Sequence, residues 1–159
     1  MKKIIVVLVV AMTFQYMMAQ AAGPVVVPQA VSQAFTARFP DGQLKKWETR
    51  KEGFVAVFRE HGKTWFAYYT ADGSWKGTET PIKWTKNLPQ AVRAGWLKSD
   101  YASWYVQDIK SIRTPEGLLY ALHVDNSSVL DSEHKDAFRE EYVIFFNEKG
   151  EIVRTDTMP

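Results

Sequence analysis

Three histidines, His61, His123 and His134, are the side chains of this sequence best suited to move a proton or hold a metal near neutral pH. Known zinc motifs set a second ligand three or four residues away on one helix face. None of the three has a histidine or carboxylate so placed on a segment that reads as a helix. Asp131, Glu133 and His134 are close along the chain, but they fall in a polar, charge-rich stretch that reads as a solvated loop without metal-ligand spacing. Asp125-Asn126-Ser127 through Asp131 has the acidic start of a calcium loop but lacks its central glycine and closing glutamate, so it reads as a turn. Ser127 and Ser128 stand outside any G-x-S-x-G context. Glu140 and Glu141 would point to opposite faces of a strand and so cannot work as an acid/base pair. There is no cysteine, which excludes thiol catalysis, cysteine zinc sites and disulfides. The expectation is a protein with no cofactor, no metal and no catalytic set.

Aromatic content remains. Two segments, Trp65-Phe66-Ala67-Tyr68-Tyr69 and Tyr142-Val143-Ile144-Phe145-Phe146, are apolar at successive positions, whereas a strand with one wet face should alternate. Both faces of these strands therefore want cover. In one arrangement, two halves of the chain or two chains bury each other's outer faces. In the other, one face stays open as a binding platform. Trp65, Ala67 and Tyr69 would then face inward. Phe66, Tyr68, Val143 and Phe145 would face outward and, with Trp75, form the candidate binding set. The partner would be an envelope or secreted protein or a second copy. A carbohydrate is the alternative, because aromatic rings also stack on sugars.

These strands sit in a chain that opens with an address. Lys2 and Lys3 precede an apolar run from Ile4 to Met12, and Ala19-Gln20-Ala21 offers the small residues a signal peptidase reads. Residues 1–21 read as a signal peptide, too short in their apolar part to span a membrane comfortably. The sequence has 20 basic and 18 acidic residues, and the leader's two lysines account for the whole excess. A neutral remainder without a basic block argues against nucleic acid as partner. The localisation that follows is periplasmic or secreted.

Beyond the leader the chain reads as one pattern written twice. Val27-Pro28-Gln29-Ala30-Val31 recurs 61 residues later as Leu88-Pro89-Gln90-Ala91-Val92. Glu52-Gly53 recurs as Glu116-Gly117, Gly73 as Gly150, and Thr78-Glu79-Thr80 as Thr155-Asp156-Thr157, with offsets that only grow. The order fits duplication followed by insertion. Residues 22–82 form the first repeat, 83–86 a linker and 87–159 the second, with a polar insertion at 125–139 expected to be a surface loop carrying a helical turn near 132–138. In each repeat an apolar stripe at helical spacing comes first: Val27, Val31, Phe35 and Phe39, then Leu88, Val92 and Trp96. Pro28 and Pro89 suit a first helical turn, and Gly95 should weaken the second helix. Strands are expected at 43–50, 54–60, 63–71, 74–80, 106–113, 118–124, 140–147 and 151–157. Their short glycine-bearing joins mean antiparallel neighbours. Each repeat would be marginal alone, so the two should share stability by joining sheets or by packing edge against edge.

A helix opening on Val27-Pro28 or Leu88-Pro89, a break at Pro40-Asp41-Gly42, and hairpins ending in Asp72-Gly73-Ser74-Trp75 and Thr78-Glu79-Thr80 resemble the PepSY-like family of exported bacterial proteins, also described as beta-lactamase-inhibitor-protein-like. The resemblance spans residues 25–159. It implies an α+β fold of two tandem helix-plus-four-stranded antiparallel meander units presenting a curved sheet, in a non-enzymatic periplasmic or surface-associated protein. The polar insertion at 125–139 departs from the compact repeat.

Overall fold

The computed structural model describes residues 25–130 and 138–158. The leader, and the part of the insertion holding Asp131, Glu133, His134 and the expected helical turn, lie outside the described residues.

Pro28 and Pro89 stand immediately before the two helices, α1 (Gln29–Arg38) and α2 (Gln90–Lys98). A proline there forfeits no hydrogen bond, since the N–H groups of a first turn have no helical acceptor. The Pro28 carbonyl in turn accepts from the N–H groups of Val31 and Ser32. The apolar stripes face inward: Val31 and Phe35 are buried on α1, Val92 and Trp96 on α2.

Four strands follow each helix. They are β1 (Gln43–Arg50), β2 (Gly53–Glu60), β3 (Lys63–Tyr69) and β4 (Trp75–Pro81), then β5 (Tyr105–Thr114), β6 (Gly117–Asp125), β7 (Glu141–Asn147) and β8 (Ile152–Thr157). Each lies within two residues of its expected bounds. All eight join one antiparallel sheet in chain order, so the architecture is α+β. The turn after β2 has positive φ at both His61 (49°) and Gly62 (76°), the twist a two-residue hairpin needs. Of the two expected ways to share stability, joined sheets is the one adopted: β4 pairs with β5 from Thr78↔Arg113 to Pro81↔Lys110.

Cross-strand partners share a face, and this places both helices on the same side. The row Trp47, Ala56, Ala67, Thr78, Arg113, Leu118 crosses from the cluster under α1 to the cluster under α2. Val31, Phe35, Phe58 and Tyr69 form the core of the first cluster, and Val92, Trp96, Leu122, Ile144 and Phe146 that of the second. The other face of the sheet meets no helix among the described residues.

The polar insertion differs at its start from the solvated loop expected. Asp125 and Asn126 are buried at 1% and 7% exposure, and a single helical turn covers Asn126–Ser128. Asp125 Oδ1 accepts from the Ser127 N–H at 2.8 Å, and Asp125 Oδ2 accepts from Gln107 Nε2 at 2.8 Å. Asn126 Nδ2 donates to the Phe138 carbonyl, and its Oδ1 accepts from the Glu140 N–H. The two residues thus pin both ends of the insertion.

Candidate functional site

The face opposite the helices is built by strand alternation. Ala67 and Tyr69 point to α1, so Phe66 and Tyr68 between them point away; Ile144 and Phe146 point to α2, so Val143 and Phe145 point away. Register then assembles the surface. Phe66 lies between Val57 and Glu79, and the row continues through Ile112 to Leu119. Tyr68 lies between Val55 and Gly77. Phe145 lies between Ala121 and Arg154, and Val143 between His123 and Asp156. Four of the five candidate residues therefore share one surface.

Trp75 does not. It pairs with Tyr69 on the helix side, with the Arg38 guanidinium 3.4 Å above its ring and its Nε1 donating to Thr78 Oγ1 at 2.9 Å. A register shift between Tyr68 and Tyr69 sets that facing, and no residue-type pattern announces such a shift.

The floor is apolar and shielded. Val55, Val57 and Phe145 are 1%, 7% and 7% exposed although no helix among the described residues lies over them. One hollow of about 740 Å³ has walls from β1 through β5, including Arg50, Tyr68, Glu79, Lys110 and Ile112.

Several charges on this face are paired. Glu48 accepts from Lys46 and from Arg50, each at 2.7 Å. The Lys46 hydrogen bond and the two positive charges hold Glu48 below the usual carboxylate range against its desolvation. The Tyr68 hydroxyl donates to Glu79 Oε1, with Lys110 Nζ 3.8 Å from the same oxygen. Burial, then the Glu79 carboxylate, push the Tyr68 phenol well above the ordinary tyrosine value, so it remains a neutral donor. Arg154 lies 3.8 Å over the Phe145 ring and pairs with Asp156 at 3.1 Å.

One constellation escaped the sequence. His123 sits between Asp108 (Nδ1 to Oδ2, 3.6 Å) and Glu141 (Nε2 to Oε2, 3.4 Å), and Glu141 also meets Arg139 at 2.7 Å. Its members come from β5, β6, β7 and the chain before β7, so only the strand register could have revealed them. The separations are longer than those of good hydrogen bonds, and the His123 Nε2 is buried without a hydrogen-bond partner among the described residues. Among the described residues no serine or threonine hydroxyl bonds to His123 Nε2, and no group of three or more ligand side chains could hold a metal. His61, in its turn, is 3.8 Å from Glu60 and exposed.

Asp125 anchors this end. Burial raises its pKa, but the hydrogen bonds from Ser127 and Gln107 and the charge of Arg139 outweigh burial and leave it below the usual range. A carboxyl whose folded pKa is depressed stabilises the fold above its unfolded pKa, and that contribution is lost as pH falls through the folded value. Asp125→Asn is expected to cost about 2 kcal/mol at neutral pH and to flatten the stability profile below about pH 4. Urea unfolding at a series of pH values checks this; parallel acid profiles for the two proteins would contradict it.

The arrangement is a largely apolar, hollowed face with paired charges among and beside its apolar side chains, which suits recognition of a surface more than bond-making. The chain superposes on a BLIP-like protein from Bacteroides fragilis with a TM-score of 0.71 and 22% identity, over 86% of this chain and 89% of that one. A protein of Bacteroides eggerthii predicted to be periplasmic gives 0.67 and 23%, over 84% and 90%. A DUF2874 family protein from Bacteroides ovatus gives 0.70 and 19%, over 84% and 89%. At these identities the likeness establishes a shared BLIP-like fold. No family model and no curated protein matches the sequence.

Proposed function

We propose that this chain is a non-catalytic, exported protein of the cell envelope that binds another protein through the sheet face opposite its helices. One observation carries the reading: the apolar side chains of Val55, Val57, Phe66, Ile112 and Phe145 share a face that no helix covers among the described residues, with the Glu79–Lys110 pair in its middle and the pairs of Glu48 and Arg154 on its edge strands. Apolar area interleaved with a few polar groups is the anatomy of protein interfaces. The dimensions also fit. Eight strands at about 4.8 Å spacing and about seven residues deep make a face on the order of 800 Å², which is what one partner contributes to a standard interface.

Export is supported by the pattern of residues 1–21 and by the B. eggerthii relative in fold. No helix among the described residues is long and apolar enough to cross a membrane. Duplication of one helix-plus-four-strand unit accounts for the element order. Two glycines support it: Gly73 (φ 87°) and Gly150 (φ 81°) each turn the last hairpin of a unit against its own helix, at the Ala30 and Ala91 carbonyls. Kinship with the PepSY-like family rests on the order of sequence motifs.

A second copy is the alternative partner, favoured by the exposed edge strand β8 with Ile152 and Val153. The carbohydrate reading of this face is weaker, because Trp75, the one tryptophan of the candidate set, lies on the other side. Size-exclusion with light scattering, joined to a pull-down from envelope extract, tests the proposal. The leaderless protein is expected to retain a partner or to double in mass, and the Phe66→Ala/Tyr68→Ala variant to do neither. A monomer that captures nothing, or an undiminished double variant, would count against it.

A further inference from the structure

The helix side of the sheet is not fully covered. Between the two helix-packed clusters lies a cavity of about 590 Å³, within the range of small-ligand sites. Its floor comes from β4, β5 and β6 through Thr78, Thr80, Ser111 and Tyr120, and one wall is the segment joining β4 to α2. Four cations line it, Lys63, Lys83, Lys86 and Arg113, with no carboxylate side chain. A smaller hollow shares Trp65, Thr78 and Arg113 with it and adds Arg38 and Trp75, with Glu60 as its acid.

The groove differs from the hollow of the opposite face, whose lining includes Glu52 and Glu79. There Lys46, Arg50, Lys110 and Arg154 have carboxylate partners, while Lys51 and Lys76 have none among the described residues. Lys63, Lys83, Lys86, Arg113 and Arg38 have none among the described residues. Cations gathered unpaired around a concavity raise the local concentration of anions. The aromatics narrow the ligand class. Trp84 is 54% exposed at the rim, with Lys83 Nζ 5.4 Å from its ring centroid, and Trp65 is half-buried in the wall. A flat indole face beside an ammonium suits a ring that carries its own negative charge, and the Ser111 hydroxyl suits a hydroxylated one, those of Thr78 and Thr80 being buried and bonded to Trp75 and Thr64.

We propose that this groove binds an acidic oligosaccharide, its carboxylates held by Lys83, Lys86 and Arg113 and a sugar ring stacked on Trp84. The site is separate from the sheet face of the proposed function and does not depend on it. Titration calorimetry of the leaderless protein with tetragalacturonate is the test, with cellotetraose, tripolyphosphate and tetraglutamate as comparison ligands. Tetragalacturonate is expected to bind with a dissociation constant of about 1 mM or tighter and to weaken as salt is added. Lys83→Ala/Lys86→Ala and Trp84→Ala, both at exposed positions, should each weaken it about tenfold, and Lys46→Ala on the opposite face should not. Circular dichroism confirms that each variant folds. Absence of binding, equal binding of tetraglutamate, tripolyphosphate binding that ignores Trp84→Ala, or an equal loss in Lys46→Ala would each overturn the proposal.

Discussion

Replacing Gly95 with alanine is expected to destabilise the protein by about 3 kcal/mol or more, although alanine is the better helix former by about 1 kcal/mol. The reason is contact between backbones. A Cβ at position 95 would stand 1.9 Å from the Gly150 carbonyl oxygen and 2.8 Å from its carbon. Gly150 cannot retreat, because it turns the hairpin between β7 and β8 at φ 81° and a Cβ of its own would stand 2.1 Å from the Ala91 oxygen. Helix and turn therefore meet at two glycines, and separating them lifts Val92 and Trp96 from the core they fill. Urea unfolding checks this beside Ala94→Gly, a change at an exposed position of the same helix that carries only the ordinary propensity cost. A Gly95→Ala protein as stable as the wild type would show that the close approach does not exist.

Two phenylalanines on neighbouring strands should behave in opposite ways. Phe58→Ala is expected to cost about 3 to 5 kcal/mol. Phe58 is fully buried on the helix side, its ring 5.2 Å from Phe35 and 4.6 Å from Phe39, so truncation opens a cavity among aromatic rings that cannot collapse to fill it. Phe66 faces the other way and is half-buried, so Phe66→Ala should leave the fold standing at a cost nearer 1 kcal/mol. Thermal unfolding of both variants decides between the assignments. Equal losses would mean that the outer face is a second core, closed by something other than a partner.

Much of this fold is legible in the residues because local signals agree. Pro28 and Pro89 mark the helix starts, Val31, Phe35, Val92 and Trp96 keep helical spacing, and each short hairpin, all but the long join of β6 to β7, carries a glycine where φ turns positive. The facing of Phe66, Tyr68, Val143 and Phe145 follows from strict alternation along single strands. What depends on two strands at once could not be read. Trp75 changes side through a register shift, and Asp108, His123 and Glu141 meet across a ladder. The choice between joined and edge-packed sheets rested on β4 finding β5, a long-range pairing with no local mark. Gly95 shows the same limit: propensity registers its cost to the helix, and only packing supplies its purpose.

The decisive measurement for the sheet face is site-specific photo-crosslinking in living cells. A photoreactive phenylalanine analogue at position 68 is compared with the same probe at position 97, an exposed position on α2. Adducts of one defined mass from position 68 and none from position 97 would place a protein partner on the hollowed face. Adducts from position 97 alone, or none from position 68 in a folded and exported protein, would contradict the account.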